Sequence, residues 1–370
     1  MTGASYPATV GRIPIRNLWL LMLYASRLYL ELSTSRRFAA EENPDEIPDL
    51  VAEILTRAVE RRLRRNLSSE FHRREADLTR VRGHINALRT ERRHLPQQGK
   101  IACSFDELTT DTPRNRYVRA ALVHLNRLVK GNELVRRCRI AASALDRAGV
   151  GLSDFHSVGL KGHGVPVSAG RIHREDQQML AAAELAFNLR LPTEDPGHSR
   201  LPAPDREERW ARRLFEAAVG GFYDTVLGPQ GWSVRPGGKL NWQVESPTAG
   251  VAQILPNMIT DIVLESPDGA NDTGGHRLVI DTKFTGILGT GQFGDPTLKS
   301  EYIYQIFAYL RSQERQSDPL SLTASGMLLH PSVGLEVDEA ATIQGHRIRF
   351  ATVDLTANSL AIRNRLLQLV

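Results

Sequence analysis

The chain has 370 residues, of which 41% are hydrophobic and 24% charged, and its formal net charge is +5. This composition excludes a disordered or fibrous chain and is sufficient for two domains with separate cores. The positive balance suits a polyanionic partner such as nucleic acid, although an ordinary basic surface explains it equally well.

Cysteine content and hydropathy both indicate a cytoplasmic protein. The two cysteines, Cys103 and Cys138, have neither zinc-ligand spacing nor a disulfide framework, so a reducing compartment is expected. The most apolar early stretch, Leu18–Ala25, is too short to span a bilayer and is typical of a buried helix. We therefore expect no membrane partner.

Residues 1–190 are predicted to form an N-terminal domain of mixed α/β structure. Hydrophobic periodicity distinguishes helices from strands, and Thr112 before Pro113 is a strong helix-start signal. The predicted elements are helices over Asn17–Leu30 and Pro48–Asn66, strands over Leu78–Leu88 and Ile101–Phe105, and helices over Pro113–Val129 and Asp176–Asn188.

A linker over residues 191–206 is predicted by its four prolines and several charges. Residues 207–370 then predict a second α/β domain, α+β in overall class, with a central mixed sheet flanked by helices. Its predicted elements are a helix over Glu207–Leu227, strands over Ile254–Glu265 and His276–Phe284, a helix over Leu298–Gln313, strands over Ser325–His330 and His346–Leu355, and a helix over Asn358–Leu369.

Two acidic residues interrupt strands that are otherwise apolar. Asp261 lies within MITDIVLES, where a carboxylate is costly unless something pairs with it. Asp281 and Lys283 share one face of RLVIDTKF because side chains alternate along a strand. The intervening GANDTGG has turn composition, so the strands can pair as a hairpin that brings Asp261 beside Asp281.

Two carboxylates and a lysine at a strand end suit hydrolysis of a phosphodiester bond. Carboxylate oxygens, backbone oxygen and water form a hard site for Mg²⁺, which polarises the phosphate and helps to deprotonate a water molecule. Lys283 can orient that water or stabilise charge in the transition state. The alternative is a simple ion pair at a sheet edge, which D-x-K alone favours because the tripeptide is common.

The helices on either side of the hairpin add three candidates. Glu216 within WARRLFEAAVGGFY is a possible third acidic residue, with an ordinary exposed helical glutamate as the alternative. Gln305 and Tyr309 are four residues apart in SEYIYQIFAYLRS and therefore share a helix face. The ordered combination is much more specific than any one element.

This combination resembles the PD-(D/E)xK nuclease superfamily, in its branch with a Gln-Tyr motif, although Thr260 stands where the family usually has proline. The resemblance implies Mg²⁺, with Mn²⁺ as a substitute. The implied roles are metal ligands for Asp261 and Asp281, a catalytic lysine for Lys283, a supporting acid and candidate ligand for Glu216, and positioning of the site or the DNA backbone for Gln305 and Tyr309.

Three N-terminal segments extend the resemblance. RIPIRNLWLLMLYAS (Arg12–Ser26), RVRGHINALRT (Arg80–Thr90) and SFDELTTDTPRNRYVRAAL (Ser104–Leu122) are similar to the McrC family, the nuclease subunits of modified-cytosine restriction systems. With the nuclease motifs included, the resemblance covers most of the chain. The segment over residues 131–200 resembles nothing that we can name.

Membership of the McrC family implies a division of labour with a partner. A chain of this type docks through its N-terminal region onto a ring of an AAA+ GTPase of the McrB type and stimulates it. The partner binds GTP, recognises 5-methylcytosine and drives translocation, whereas the McrC-like subunit cuts double-stranded DNA. The sequence contains no P-loop, which agrees with a motor on another chain. Self-association between such complexes is a further expectation.

Two alternative functions stay open at this point. In the first, the chain would be a catalytically silent adaptor that activates the GTPase ring. In the second, it would be a stand-alone repair-type nuclease of the same superfamily. Arg61, Arg62, Arg64 and Arg65 are candidate contacts for DNA phosphate or an acidic partner, but a solvated helix face explains them more simply. The intact triad of Asp261, Asp281 and Lys283 argues against the adaptor.

Overall fold

The computed structural model describes residues 9–10, 13–152, 174–190, 204–267, 275–290 and 295–370. They fall into two compact units, one within residues 1–47 and 188–370 and the other within residues 48–187. Each unit combines helices with a β-sheet, so the predicted mixed α/β class is confirmed.

Helices and strands are interspersed along the described part of the chain. The helices are α1 (Ile15–Tyr24), α2 (Arg27–Glu31), α3 (Thr34–Glu42), α4 (Ile47–Arg65), α5 (Ala87–Arg92), α6 (Pro113–Leu128), α7 (Asn132–Arg147), α8 (Arg174–Arg190), α9 (Pro204–Leu227), α10 (Val251–Ile254), α11 (Ser300–Ser312), α12 (Pro319–Leu322) and α13 (Ser359–Gln368). The strands are β1 (Thr9–Val10), β2 (Ile13–Pro14), β3 (Glu70–Leu78), β4 (His84–Ile85), β5 (Ile101–Thr109), β6 (Ser233–Leu240), β7 (Met258–Glu265), β8 (Arg277–Thr282), β9 (Leu288–Thr290), β10 (Pro296–Leu298), β11 (Ser325–Ser332), β12 (Asp338–Ile343) and β13 (His346–Asp354). Over the ranges that are described, no helix has both the length and the apolar character needed to cross a bilayer.

The larger unit is built on a six-stranded mixed sheet with the order β12-β13-β11-β8-β7-β6. Strand β11 pairs in parallel with β8 and β13, whereas the other neighbours are antiparallel. Ile262 of β7 lies opposite Ile280 of β8, which confirms the predicted pairing of these strands. Most of the predicted turn between them falls on residues 268–274, which lie outside the described residues.

Helices cover both faces of β7 and β8. On one face, Val263 and Val279 share a hydrophobic core with Ile306 and Leu310 of α11. On the other face, α9 approaches so closely that a Cβ on its Gly220 would lie 3.7 Å from the side chain of Ile262. Strands covered in this way exclude water, so any charged side chain on them needs a specific partner.

The first helix packs in the same unit as the C-terminal residues. The rings of Tyr24 in α1 and Phe222 in α9 have centroids 5.0 Å apart, and a Cβ on Gly221 would lie 2.1 Å from the Tyr24 carbonyl oxygen. This grouping differs from the predicted domains, which placed residues 1–190 together and apart from residues 207–370. The reason is that α1 is apolar and buried around most of its circumference, and α9 supplies the surface that covers it.

The smaller unit combines a three-stranded antiparallel sheet, ordered β3-β5-β4, with helices α4, α6, α7 and α8. Thr112 caps α6 as predicted, because its Oγ1 accepts a hydrogen bond of 3.1 Å from the Asn115 backbone N–H. On the basic face of α4, Arg62 forms a 2.9 Å ion pair with the buried Asp176. This member of the arginine cluster therefore has a structural contact within the unit.

The predicted strand over Leu78–Leu88 is wrong. Strand β3 ends at Leu78, and Gly83 with φ +69° forms a turn before the two residues of β4. Asn86 then begins α5, because its side chain accepts a 3.0 Å hydrogen bond from the Arg89 backbone N–H. A glycine turn and a helix cap thus override the apolar alternation of the segment.

Other predicted elements keep their type but change their bounds. The predicted helix over Asn17–Leu30 is two helices, since the Ser26 hydroxyl accepts from the Tyr29 backbone N–H at 3.3 Å and starts α2. The first four residues of the predicted strand over Ile254–Glu265 are not strand, because β7 begins at Met258. Helix α7 and strands β6 and β12 are absent from the sequence prediction.

Replacing Asp338 by Asn is expected to destabilise the protein by about 0.5–1 kcal/mol near neutral pH, because the carboxylate is exposed and water screens its ion pairs. Arg349 donates to both Asp338 oxygens at 2.7 and 2.8 Å, and Arg365 donates at 2.8 Å. Arg349 first, and then Arg365, lower the pKa of Asp338 from 3.8 to about 2. The folded pKa lies below the unfolded value, so the stabilisation is complete above about pH 4 and is lost as the pH falls toward 2.

Urea unfolding of the wild type and the Asp338→Asn variant, at neutral pH and near the folded pKa, tests this prediction. The difference in unfolding free energy should shrink in acid. An equal difference at both pH values would mean that the carboxylate charge contributes nothing.

Candidate active site

Three predicted site residues meet at one edge of the six-stranded sheet. The ladder of β7 and β8 ends at the pair Ile262–Ile280, and Asp261 and Asp281 are the next residue on each strand, close enough for the charge of one to act on the other. Lys283 directly follows the last residue of β8, and its backbone N–H still donates to β11 at 2.9 Å. The predicted juxtaposition of Asp261 and Asp281 is therefore present in the structure.

Asp261 is held by Thr282, the residue between Asp281 and Lys283. Its Oδ2 accepts two hydrogen bonds of 2.7 Å from Thr282, one from the backbone N–H and one from the hydroxyl. Only 9% of Asp261 is exposed. The carboxylate is thus fixed in direction, and its Oδ1 is the oxygen that these contacts leave for another ligand.

Asp281 and Lys283 form a buried ion pair. The Lys283 Nζ lies 2.7 Å from Asp281 Oδ2, and both side chains are almost inaccessible to solvent. Burial raises the pKa of Asp281 to about 6, Lys283 opposes the shift, and the nearby Asp261 adds to it. Asp281 Oδ1 is buried and has no hydrogen-bond partner among the described residues.

Helix α11 supplies a relay of hydrogen bonds to the lysine. Lys283 Nζ donates to Gln305 Oε1 at 2.9 Å, and Gln305 Nε2 donates to the Tyr309 hydroxyl oxygen at 2.5 Å. Gln305 and Tyr309 reach each other because they are one helical turn apart. Lys283 Nζ also lies 5.1 Å from the centre of the Tyr302 ring. The ammonium group is therefore oriented from two sides, by Asp281 and by Gln305.

Glu216 lies on α9 within electrostatic reach of the two aspartates and is half-buried. Burial first, and then the charges of Asp261 and Asp281, raise its pKa to about 7, while Arg212 opposes the shift. The structure thus gathers all six predicted site residues in one place. The role of each residue stays a prediction.

The acidic residues suit a hard divalent cation that keeps some of its water ligands, rather than a metal ion bound only by protein side chains. Within the described part of the chain, no three histidine, cysteine or acidic residues form a ready-made metal cluster. Mg²⁺ does not need one, because it retains several waters and is usually bound through one or two carboxylates plus phosphate oxygens. A cation here would provide a partner for Asp281 Oδ1 and offset the repulsion among Asp261, Asp281 and Glu216.

Three residues near the site are missing from the sequence prediction. Thr282 binds Asp261, whereas Arg212 and Tyr302 line a cleft of about 330 Å³ together with Lys283 and Gln305. Helical spacing provides a signal for two of them, since Arg212 lies four residues before Glu216 and Tyr302 three before Gln305. Nothing in the sequence indicates the contact of Thr282.

Comparison with known protein families points to restriction systems. Residues 8–154 match the family described as McrBC 5-methylcytosine restriction system component. The chain is also 24% identical over 357 residues to the type IV methyl-directed restriction enzyme EcoKMcrBC of Escherichia coli K12. The aligned region covers 96% of this chain and 97% of that protein.

Two solved structures match the chain with lower sequence identity than this relative. A half-complex from a tetradecameric assembly of Thermococcus gammatolerans McrB AAA+ hexamers with bound McrC matches with a TM-score of 0.41 and 15% identity, over 96% of this chain and 76% of that chain. A cryo-EM structure of the Thermococcus gammatolerans McrBC complex matches with a TM-score of 0.31 and 18% identity, over 47% and 50% of the two chains. The family and sequence matches confirm the similarity that the N-terminal motifs indicate.

Proposed function

We propose that this chain, whose residues 8–154 match the family of McrBC 5-methylcytosine restriction-system components, belongs to that family and is the DNA-cleaving subunit of such a system. The proposed reaction is Mg²⁺-dependent hydrolysis of phosphodiester bonds in double-stranded DNA. The proposed partner is a ring of an AAA+ GTPase of the McrB type, which binds GTP and recognises the modified base.

The observation that carries this proposal is the convergence of Asp261, Asp281 and Lys283 at one sheet edge. A buried aspartate with an unpaired oxygen, beside a second aspartate, is energetically unfavourable in a purely structural sheet. Functional sites accept such costs because the ligand supplies the missing partner. The same features argue against the silent adaptor, which has no use for an unsatisfied carboxylate.

Asp261 and Asp281, supported by Glu216, are the residues that would hold the cation. The cation supplies polarisation of the phosphate and a lowered pKa for a water molecule. Lys283 directs one of its three N–H groups to Asp281 and one to Gln305, and the third can orient the attacking water or contact a phosphate oxygen. Gln305 keeps the ammonium group in place, and Tyr309 in turn fixes the Gln305 amide.

Glu216 can support the two aspartates in cation binding. Without a cation, burial and the charges of Asp261 and Asp281 raise its pKa to about 7. When a cation occupies the site, its charge stabilises the ionised form of Glu216. We propose that Glu216 is ionised in the loaded enzyme and supports the two aspartates.

A reconstitution assay tests the proposed function. The chain is mixed with its cognate GTPase, GTP and Mg²⁺, and the cleavage of methylated and unmethylated plasmid is followed. We expect cutting of methylated plasmid only, and none when EDTA replaces Mg²⁺. Cutting by the chain alone, without the GTPase or GTP, would favour the stand-alone nuclease. Stimulated GTP hydrolysis with no cleavage of any DNA would favour the adaptor.

Replacing Gln305 by Ala is expected to reduce the rate of cleavage about tenfold, the effect of losing one charge-assisted hydrogen bond. Lys283 would keep its contact with Asp281 but lose its second anchor, so its ammonium group would point in more directions. Single-turnover cleavage by the reconstituted complex measures the rate. The melting temperature should stay unchanged, because Gln305 is only partly buried.

The matched variant is Tyr309→Phe, which removes only the hydroxyl that accepts from the Gln305 amide. Its rate should lie between those of the wild type and Gln305→Ala. Equal rates for the wild type and Gln305→Ala would show that the glutamine does not position Lys283.

A further inference from the structure

A cleft beside the proposed active site is lined mostly by residues with no assigned role. Its volume is about 330 Å³, which is enough for a nucleotide-sized group. The lining residues are Arg212, Lys283, Phe284, Thr285, Glu301, Tyr302 and Gln305. Because Lys283 and Gln305 belong to both places, the cleft is a continuation of the site.

Arg212 provides the exposed cation of this cleft. It lies one helical turn before Glu216 on α9, and its charge acts on the pKa of Glu216, Asp281 and Tyr309. Its side chain is exposed, and within the described ranges it makes no ion pair or hydrogen bond. An unpaired guanidinium that faces a catalytic edge has its donors available for a ligand.

Tyr302 brings a second cation to the wall of the cleft. Lys283 Nζ lies 5.1 Å and Lys299 Nζ 5.3 Å from the centre of its ring, so the ring contacts two ammonium groups. The Tyr302 hydroxyl lies 3.4 Å from Thr285 Oγ1, which places two hydroxyl groups at the same wall. The aromatic contact reduces the freedom of the Lys299 side chain, so its charge is partly pre-positioned.

The charges of the cleft favour an anion. Glu301 is the acidic lining residue, whereas Arg212 and Lys283 line the cleft and the Lys299 ammonium group lies 5.3 Å from the ring centre of Tyr302, another lining residue. Glu301 is exposed in the first turn of α11, where its charge is screened by water. A phosphodiester group fits this arrangement because it is a monoanion with several acceptor oxygens.

We infer that Arg212, Lys299 and Tyr302 form a subsite for a backbone phosphate of DNA, next to the phosphate that is cleaved. The inference rests on the proposed function, since it takes DNA as the substrate of the adjoining site. Arg212 binds the phosphate oxygens, Lys299 adds charge, and Tyr302 with Thr285 donates hydroxyl hydrogen bonds. The subsite positions the strand, so that the neighbouring phosphodiester lies at Asp281 and Lys283.

Equilibrium binding of DNA by the full chain tests the subsite without any need for cleavage. The probe is a fluorescein-labelled duplex, with Ca²⁺ in place of Mg²⁺, and anisotropy is measured over a series of salt concentrations. Arg212→Gln should weaken binding about tenfold. The slope of log K against log salt should fall by about 0.9, the value for one phosphate contact.

Two matched variants separate the subsite from a general loss of charge. Arg213→Gln removes the same charge from the next residue of α9, where the side chain donates to a backbone carbonyl of its own helix, and should leave the slope unchanged. Glu301→Gln removes the acidic group of the cleft and should strengthen binding. Equal effects of Arg212→Gln and Arg213→Gln would overturn the inference, and so would the absence of measurable binding by the wild type.

Failure of the subsite and failure of the nuclease proposal can be told apart. If the wild-type complex cuts methylated DNA but Arg212→Gln binds like Arg213→Gln, only the subsite is wrong. If Arg212→Gln alone loses one phosphate contact but no complex cuts DNA, the subsite stands and the proposed reaction is wrong.

Discussion

Replacing Asp281 by Ala is expected to reduce cleavage of methylated DNA by about a thousandfold or more, while GTP hydrolysis by the partner ring stays stimulated. Asp281 is the least exposed of the acidic residues at the site and carries the buried oxygen without a partner. Its removal takes away a proposed cation ligand and, at the same time, one of the two anchors of Lys283. Both losses act on the transition state, so the rate should fall much more than DNA binding.

Single-turnover cleavage and GTP hydrolysis by the same reconstituted complex measure the two activities side by side. Asp224→Ala is the matched control, because Asp224 is an exposed carboxylate on α9 about two turns beyond Glu216. The control should cut like the wild type. If Asp281→Ala also cuts like the wild type, the cation site lies elsewhere. Loss of both activities would indicate misfolding, which Asp281→Asn is designed to avoid because it keeps the shape of the side chain.

Replacing Gly221 by Ala is expected to destabilise the protein by about 3 kcal/mol or more, the upper range for overpacking. The added Cβ would lie 2.1 Å from the Tyr24 carbonyl oxygen and 3.1 Å from the carbonyl carbon. Both atoms belong to the backbone at the end of α1, so no side-chain rotation relieves the clash. Helices α1 and α9 would have to separate, and the packing of Tyr24 against Phe222 would be lost.

Gly220→Ala is a matched control in the same helix turn. A Cβ at position 220 meets the side chains of Ile262 and Pro236 at 3.7 Å, which is ordinary van der Waals contact. Because alanine is a better helix former than glycine, Gly220→Ala should be neutral or stabilising by up to about 1 kcal/mol. Thermal unfolding of both variants measures the difference. Similar melting temperatures would show that α1 and α9 do not approach each other this closely.

The candidate site could be predicted from the sequence because its residues violate the pattern around them. Asp261 and Asp281 occur within strands whose other residues are apolar, and Gln305 and Tyr309 repeat at helical spacing. These two signals are local, and the predicted pairing of the two strands was enough to bring Asp261 and Asp281 together. The contact of Thr282 with Asp261 depends on the tertiary arrangement, and no spacing along the chain indicates it.

Strand β6 shows why part of the sheet escapes a prediction from sequence. Its residues, SVRPGGKL, include a proline and two glycines, which normally argue against a strand. The structure places β6 at the edge of the sheet, where Pro236 pairs opposite Ile262, Gly237 takes φ +67°, and the pairing continues in the same register at Gly238. An edge strand tolerates these residues because one side needs no hydrogen-bond partner.

Nothing in the sequence showed that α1 packs with the C-terminal residues. The apolar run Leu18–Leu23 predicts a buried helix but does not identify what buries it. Gly221 in α9 permits the close approach, and its role becomes clear only when both helices are seen together. Long-range packing of this kind depends on the shapes of two distant segments.

Localised cleavage of the protein backbone by bound Fe²⁺ tests whether the two aspartates hold a cation. Fe²⁺ takes the place of Mg²⁺, and ascorbate with peroxide produces hydroxyl radicals that cut the chain next to the ion. Mass spectrometry should find cuts beside Asp261 and within Asp281–Lys283 in the wild type, suppressed by excess Mg²⁺ and absent in Asp281→Ala. Cuts at other positions, or the same cuts in the wild type and the variant, would contradict a cation site at this edge of the sheet.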